Sequence, residues 1–296
     1  MTVQRHQHNG LAWYTFDGPG STFQHALVTR LGGASKGVFT SLNLGGSVGD
    51  DPSAVKENHR RLFAAFDLET DQVVSPYQVH GRDVVCVGAD HGGTVVPATD
   101  ALITDEPGVA LLLRFADCTP VLFYDSEHHA AGLAHAGWRG TAAGVVPATV
   151  EGMQLTFGTE PRALWAGIGP AIGPAHYAVG PEVVTAIERT LPKTVSVTER
   201  RNGERFLDLP GAVFAQLKAA GVGYIERSDL YTSECTDEWY SHRVENGCTG
   251  RFGVLVKLAL RSSKDQKEKP PRHGITEAFL LAGSQTEITA TRPTGT

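Results

Sequence analysis

Three side chains stand out for the chemistry they can share: His80 in Gln78-Val79-His80-Gly81, Cys118 in Ala116-Asp117-Cys118-Thr119-Pro120, and His135 in His135-Ala136-Gly137-Trp138-Arg139-Gly140. One thiolate and two imidazoles suit Zn2+. Three protein ligands leave the fourth tetrahedral position for water or substrate, the arrangement of catalytic rather than structural zinc. Their separations along the chain match no zinc-finger spacing. A helix starting at Gly137-Trp138-Arg139-Gly140-Thr141 is expected to turn unpaired amides toward anions beside His135, and Arg139 adds a planar fork for phosphate or carboxylate oxygens. Arg30, at the head of a glycine-rich stretch, and Arg243, ahead of the last strand, are further candidate substrate contacts. Each residue alone also has a plain structural reading, a satisfied histidine or a paired arginine. The set stands out because each ligand falls at a strand edge.

The elements that must position them read as follows. Phe23 to Arg30 is a strand, followed by Leu31-Gly32-Gly33-Ala34-Ser35-Lys36-Gly37, whose glycine density demands a tight backbone path. Asp51 caps a helix with Pro52 in its first turn, Val55, Leu62, Phe63 and Phe66 as its apolar stripe, and an end near Asp67. Short β-rich runs follow at Arg82 to Val87, Val109 to Phe115, Val121 to Tyr124 and Ala130 to Ala134. Cys86 lies in the first of these as a small hydrophobe. A helix through Thr141 to Val146 is expected to kink or restart at Pro147. A strand at Ala163 to Ile168, helices from Pro181 and from Pro210 to Ala220 with Gly221 beyond, and a strand at Phe252 to Leu260 complete the pattern. No fixed-period repeat and no linker divides the chain. The expectation is one α+β domain, a mixed β-sheet core flanked by helices, over residues 21–261, with an extension at 1–20 and a charged, apolar-poor, flexible tail at 262–296.

With 296 residues, 41% of them hydrophobic and 20% charged, the chain has globular composition. A net charge of −6 argues against a nucleic-acid partner. No signal-peptide core and no run of roughly 18 apolar residues is present, so no membrane association and a cytoplasmic location are expected. Four cysteines are too few for a disulfide scaffold in a chain of this length.

Taken in order, the strings Thr29-Arg30-Leu31-Gly32-Gly33, Ser41-Leu42-Asn43-Leu44-Gly45, Val48-Gly49-Asp50, Gln78-Val79-His80-Gly81, Asp117-Cys118-Thr119-Pro120, His135-Ala136-Gly137-Trp138-Arg139-Gly140, Gly167-Ile168-Gly169-Pro170 and Thr249-Gly250-Arg251 resemble the YfiH-like family. This family is also called laccase-domain or polyphenol-oxidase-like, and its members are described as purine nucleoside phosphorylases. The resemblance spans roughly residues 20 to 260. It places zinc ligands on His80, Cys118 and His135, and implies phosphorolysis of adenosine, inosine and 5′-methylthioadenosine together with adenosine deamination. It also carries an older attribution of copper-dependent phenol oxidation. Ser241-His242-Arg243-Val244 departs from the usual Ser-Tyr-Arg-Arg, and the tail after Arg261 has no counterpart.

The leading expectation is zinc-dependent purine nucleoside chemistry in a monomer or homodimer, with purine nucleosides and phosphate as partners. Cys118, Asp117 and Arg139 are the candidate catalytic residues; Arg30, Asn43, Gln78 and Arg243 are the candidate substrate contacts. For deamination, zinc would lower the pKa of water for attack at C6 of adenine. The His-x-Glu and Pro-Cys-x-x-Cys deaminase signature is absent, so Asp117 is the nominated acid/base. Phosphorolysis would use Arg139 to hold phosphate for attack at the anomeric carbon. Copper ranks lower, since a blue-copper His2Cys centre adds an axial Met and the chain has only Met1 and Met153. Two further readings are a metal-free hydrolase with Cys118 as nucleophile and a histidine as its base, and a zinc-stabilised interaction module.

Overall fold

Strict alternation along a few strands decides the layering. In the strand Ala110–Phe115, Leu111, Leu113 and Phe115 face one apolar cluster while Ala110 and Leu112 face another. In Thr119–Asp125, Leu122 and Tyr124 join the first cluster, and Val121 and Phe123 turn to a third. Side chains of a strand alternate between faces, so both strands are buried on both sides. The structure, a computed structural model, describes residues 3–260.

Two sheets follow from this pattern. One runs, in spatial order, Val3–His8, Leu11–Phe16, Phe23–Val28, Phe252–Leu258, Ala110–Phe115, Val73–Pro76 and Val95–Val96. It is antiparallel except for the two pairings made by Val73–Pro76. The other runs Tyr224–Arg227, Trp165–Ile168, Thr119–Asp125, Ala130–Ala136, Ala101–Thr104 and Val84–Cys86, with parallel pairings at both edges. The sheets share the apolar cluster that holds Leu27, Phe115, Leu122, Leu133, Trp165 and Phe252. The outer face of the first sheet is covered by the helix Pro52–Ala65, and that of the second by Val145–Phe157 and Leu209–Ala219. The chain is thus a single α+β domain with mixed sheets between helices, as its strand and helix patterns lead one to expect.

The helix Pro52–Ala65 does more than cover a sheet. Asp51 caps it, its carboxylate accepting from the Ser53 N–H at 2.9 Å. Its buried stripe is Val55, Asn58 and Leu62, with a polar residue in the middle. The Asn58 side chain accepts from Ala34 N (2.7 Å) and donates to Ser35 Oγ (2.8 Å), Ser41 O (3.2 Å) and Asn43 O (2.8 Å). One buried amide therefore gives the glycine-rich stretch the partners that a sheet would otherwise supply.

Three details differ from the sequence reading. The helix after His135 breaks at Gly144, which sits at φ +88 between Trp138–Ala143 and Val145–Phe157. Pro147 is the third residue of the second helix, where its missing N–H has no acceptor to lose, so it neither kinks nor restarts anything. Residues 3–16, read as an extension, form a hairpin at the edge of the first sheet. An unexpected three-stranded sheet of Ala178–Val179, Glu204–Leu207 and Thr198–Arg201 packs with the helix Pro181–Glu188. The tail assigned to 262–296 lies outside the described residues. Among the described residues no helix is long and apolar enough to cross a membrane.

Replacing Asn58 by Leu, close in volume, would leave the Ala34 amide and the Asn43 carbonyl without the partner that Asn58 supplies, while Ser41 O keeps Ser35 N and Ser35 Oγ keeps Asp50. One unsatisfied buried group costs about 1–3 kcal/mol, so two give an expected loss of at least about 2 kcal/mol, read from urea denaturation. A loss below about 1 kcal/mol would show that the loop does not depend on Asn58.

Candidate metal centre

The Cys118 link joins the two sheets: Ala110–Phe115 belongs to the first, Thr119–Asp125 to the second, and Cys118 packs against the cluster between them. His135 is the penultimate residue of Ala130–Ala136 and pairs with Pro120, which sets it beside the same turn. It has the parity of Ala131 and Leu133, so its ring enters the inter-sheet layer, 5.4 Å from the Phe115 ring. His80 arrives from the strand Val73–Pro76. The three donor atoms lie within 4.8 Å of one another, and this is the one such cluster of His, Cys or acidic ligands among the described residues. Zinc takes such nitrogen and sulfur donors at about 2.0–2.3 Å, so a shared ion requires side-chain adjustment alone. The donor set fits the ion that the sequence predicts. His135 is buried, Cys118 partly buried and His80 exposed, so the cluster has one open side.

Asp100, which the sequence reading missed, holds this arrangement together. Its fully buried carboxylate accepts from His135 Nδ1 (2.8 Å, Oδ1), His80 N (2.9 Å, Oδ1), Val79 N (3.1 Å, Oδ2) and Gly81 N (2.7 Å, Oδ2). A histidine whose Nδ1 donates to a carboxylate presents Nε2 as the ligand atom, the usual outer-shell device at metal sites. Three successive amides converge on one carboxylate because His80 adopts φ +61, the left-handed region that non-glycine residues rarely enter. Asp117, next to Cys118, sits at φ +83. Two strained residues therefore flank or supply the ligands, a placement typical of functional sites.

The glycines of the His135-Ala136-Gly137-Trp138-Arg139-Gly140 string have a direct cause. A Cβ on Gly137 would lie 2.9 Å from Cys118 Sγ and 3.0 Å from His80 Cδ2; one on Gly140 would lie 2.8 Å from the Gly81 carbonyl oxygen. The backbone itself forms the wall behind the ligands.

Electrostatics follow from burial and proximity. Burial pushes the Cys118 thiol up, but the charge of His135 and hydrogen bonds from His135 and His80 outweigh it and bring the pKa down to about 6. Burial pulls His135 down, and the Cys118 charge together with the Asp100 bond raises it to about 9. Burial alone would raise Asp100; its bonds to His135 and the amides hold it below the usual carboxylate range. The protein without an ion thus holds a thiolate–imidazolium pair, coupled so that neither partner titrates independently.

The other candidate residues separate into two groups. Arg30, Asn43 and Gln78, expected to meet substrate, each hydrogen-bond to the protein. Arg30 donates to Thr40 O, Thr236 O and Glu245 Oε1 and stacks 4.1 Å from the Tyr240 ring centroid. Asn43 is fully buried and bonds Gly45, Asp50 and Arg251 N. The Gln78 amide and the Arg114 backbone exchange two hydrogen bonds. Asp117, the nominated acid/base, accepts from Thr232 Oγ1, Ser241 Oγ and Arg243 N at 2.6–2.7 Å, which anchors the chain from 232 to 243 beside Cys118. Arg139 and Arg243 belong to the second group. Arg139 is exposed and lies over Trp138, in a helix of six residues that is too short to serve as an anion site through its amides. Arg243 donates to Ala178 O and lies over the Tyr177 ring. Partly buried Arg251 donates to Thr249 O and Gly250 O; burial lowers its pKa, against the charges of Cys118 and Asp117.

Comparison with known proteins identifies the family and the fold. The family model described as multi-copper polyphenol oxidoreductase laccase matches residues 24–259. The purine nucleoside phosphorylase YlmD of Geobacillus stearothermophilus is 44% identical over 246 residues, 78% of this chain and 88% of the relative. The purine nucleoside phosphorylase ORF3 of Streptomyces griseus is 41% identical over 234 residues, 79% of this chain and 93% of the relative. The crystal structure of the Geobacillus stearothermophilus YlmD superposes with a TM-score of 0.83 at 37% identity, covering 88% of this chain and 99% of that one. The Bacillus licheniformis hypothetical protein YfiH superposes with a TM-score of 0.78 at 32% identity, covering 85% and 97%. On fold, motif and match, the chain belongs to the YfiH-like family, the one described as multi-copper polyphenol oxidoreductase laccase.

Proposed function

We propose that this protein is a zinc-dependent purine nucleoside phosphorylase that acts on adenosine, inosine and 5′-methylthioadenosine and also deaminates adenosine. The observation that carries the reading is the convergence of His80, Cys118 and His135 on one point, with Asp100 fixing the tautomer of His135. Relatives named purine nucleoside phosphorylase support the substrate class. Copper ranks below zinc, because Met153 is buried in the helix-covered core and no second donor cluster exists among the described residues.

His80, Cys118 and His135 would hold zinc, which when bound would supply Lewis-acid polarisation and lower the pKa of water. His135 Nδ1 keeps its proton on Asp100, which leaves Nε2 to ligate. Arg139 and Arg243 supply the guanidinium forks that neutralise phosphate as it approaches the anomeric carbon. Asp117 acts as an anchor: its bond to the Arg243 amide sets the base of that arm. Arg30, Asn43 and Gln78 shape the surrounding loops. The chain's own contribution to both reactions is a rigid, partly desolvated frame that orients nucleoside and anion beside the ion.

The Cys118–His135–Asp100 geometry also favours a second reading, a metal-free hydrolase with Cys118 as nucleophile and His135 as its base. Metal content separates the two. Stoichiometric zinc with slow alkylation of Cys118 supports the first; absence of zinc with rapid alkylation supports the second.

Three outcomes test the centre. His80→Ala, Cys118→Ala and His135→Ala should each lose zinc and phosphorolysis together, followed by metal analysis and by chromatography of adenine, inosine and hypoxanthine with and without phosphate. Asp100→Asn and Gly137→Ala should keep the fold but weaken zinc about 10–100-fold, the usual effect of losing outer-shell support. Zinc affinity should also depend on pH. Between about 6 and 9 the pair holds a proton on His135 that the ion must expel, so affinity falls about tenfold for each unit of acidification. Below about 6 the thiol is protonated too, and the fall steepens; competition with a chelator across pH 5–9 would read this directly. A flat profile would refute the paired titration.

A further inference from the structure

The hairpin of residues 3–16 meets the rest of the first sheet through a short ladder that a side chain completes. Leu11–Phe16 pairs with Phe23–Val28 at Trp13 with Val28 and Tyr14 with Leu27, and Thr29 extends the contact to Ala12. Continuing that register would set Phe16 opposite His25, and there the Phe16 N–H donates to His25 Nε2 at 2.8 Å. Because Nε2 accepts, the ring proton sits on Nδ1, which donates to Phe23 O at 3.0 Å. Both nitrogens of one neutral tautomer are committed to backbone groups. The side chain is 7% exposed, and its ring centroid lies 5.1–6.2 Å from those of Phe16, Phe23 and Trp165.

An imidazolium has two donors and no acceptor, so a proton on Nε2 would face the Phe16 N–H with another N–H inside an aromatic layer. Burial already holds the His25 pKa below its ordinary value; the bond to Phe23 O opposes this and the His6 charge adds to it. The other titratable groups around the ring have partners elsewhere. Glu226 accepts from Trp165 Nε1, Tyr14 donates to Glu238, and the Tyr124 hydroxyl bonds Thr22. Lys257 follows Val256, the strand partner of His25, and so turns to the other face of the sheet, while Asp17 is exposed in the turn after Phe16.

The hairpin in turn braces the segment beside Cys118. Glu238 accepts from Tyr14 Oη at 2.6 Å and from Arg5 Nε at 2.9 Å, and the Trp239 ring packs 5.8 Å from that of Tyr14. Two residues on, Ser241 Oγ donates to Asp117, as does the Arg243 amide.

We propose that His25 is a proton-operated latch: the neutral ring closes the hairpin onto the first sheet, and protonation frees residues 3–16 together with the Glu238 brace on the segment that carries Arg243. This holds whichever reaction the metal centre performs. In the open form the imidazole meets water and recovers its ordinary pKa of 6.5. Above that pH both forms are neutral and the latch is at full strength. Below it the open form takes up a proton that the closed form resists, so the opening equilibrium rises about tenfold per pH unit until the lowered pKa of the closed form is reached.

Amide hydrogen exchange followed by NMR on the full-length protein, from about pH 5 to 7.5 and corrected for the intrinsic exchange rate, reads this opening. Protection of the Phe16 amide and of the 3–16 ladder should fall about tenfold per unit below about pH 6.5, while Thr119–Asp125 keeps its protection. His25→Gln supplies a carbonyl for the Phe16 N–H and does not titrate, so its hairpin protection should be flat with pH. If that variant does not fold, the ring nitrogen shifts of His25 in the parent carry the test: at pH 7 they should report a proton on Nδ1 and none on Nε2. The latch is overturned by a proton on Nε2 at pH 7, by pH-independent hairpin protection in the parent, by an equal loss across Thr119–Asp125, or by the parent's slope persisting in His25→Gln.

Discussion

A single buried carboxylate carries the geometry on which the centre depends. Asp100 accepts from the side chain of one ligand and the backbone of another, so His135 and His80 cannot shift independently. A buried charge with missing partners is strongly destabilising, and four donors, one of them an imidazolium, make this one tolerable. The price is backbone strain at His80, which must turn left-handed for Val79, His80 and Gly81 to point at the same group. That strain is held by packing: Asp100 leads into Ala101–Thr104, which pairs with the His135 strand, and His135 N donates to Asp100 O.

The two-sheet sandwich explains why this works at distance. Cys118 sits where the chain crosses from one sheet to the other, and the crossing brings Phe115 of the first sheet, itself stacked on Phe252, against His135 of the second. Aromatic packing behind the imidazole leaves it one orientation. Around this floor lie Arg139, exposed on a six-residue helix, and Arg243, on the segment anchored by Asp117. The ligands lie on strand ends and tight turns, and the two guanidinium groups lie on short or irregular elements beside them.

Much of the frame was legible from local pattern. Asp51-Pro52 announced its helix, Pro181 and Pro210 theirs, and the apolar runs around residues 110, 121 and 130 their strands. Two hairpins carried a signal that went unused: Asn9-Gly10 and Asn202-Gly203, both at positive φ, each join strands through a two-residue turn. Their flanks are polar or mixed, so alternation alone does not reveal them. Gly144 rather than Pro147 ends the helix because proline is harmless in a first turn, a distinction of position that composition does not encode.

Local chemistry along the chain was enough to nominate His80, Cys118 and His135, because soft donors in glycine-rich junctions are rare and their types define the ion they suit. Linear order could not reveal that Asp100 bonds two of the ligand residues, nor which groups Asp117 accepts from. An acid before an apolar strand reads like any other. Nor could it show that Arg30, Asn43 and Gln78 bond to the protein itself. Those assignments depend on which donors and acceptors meet across tens or hundreds of residues, and hydrogen bonds act over about 3 Å, a distance defined only once the sheets have packed.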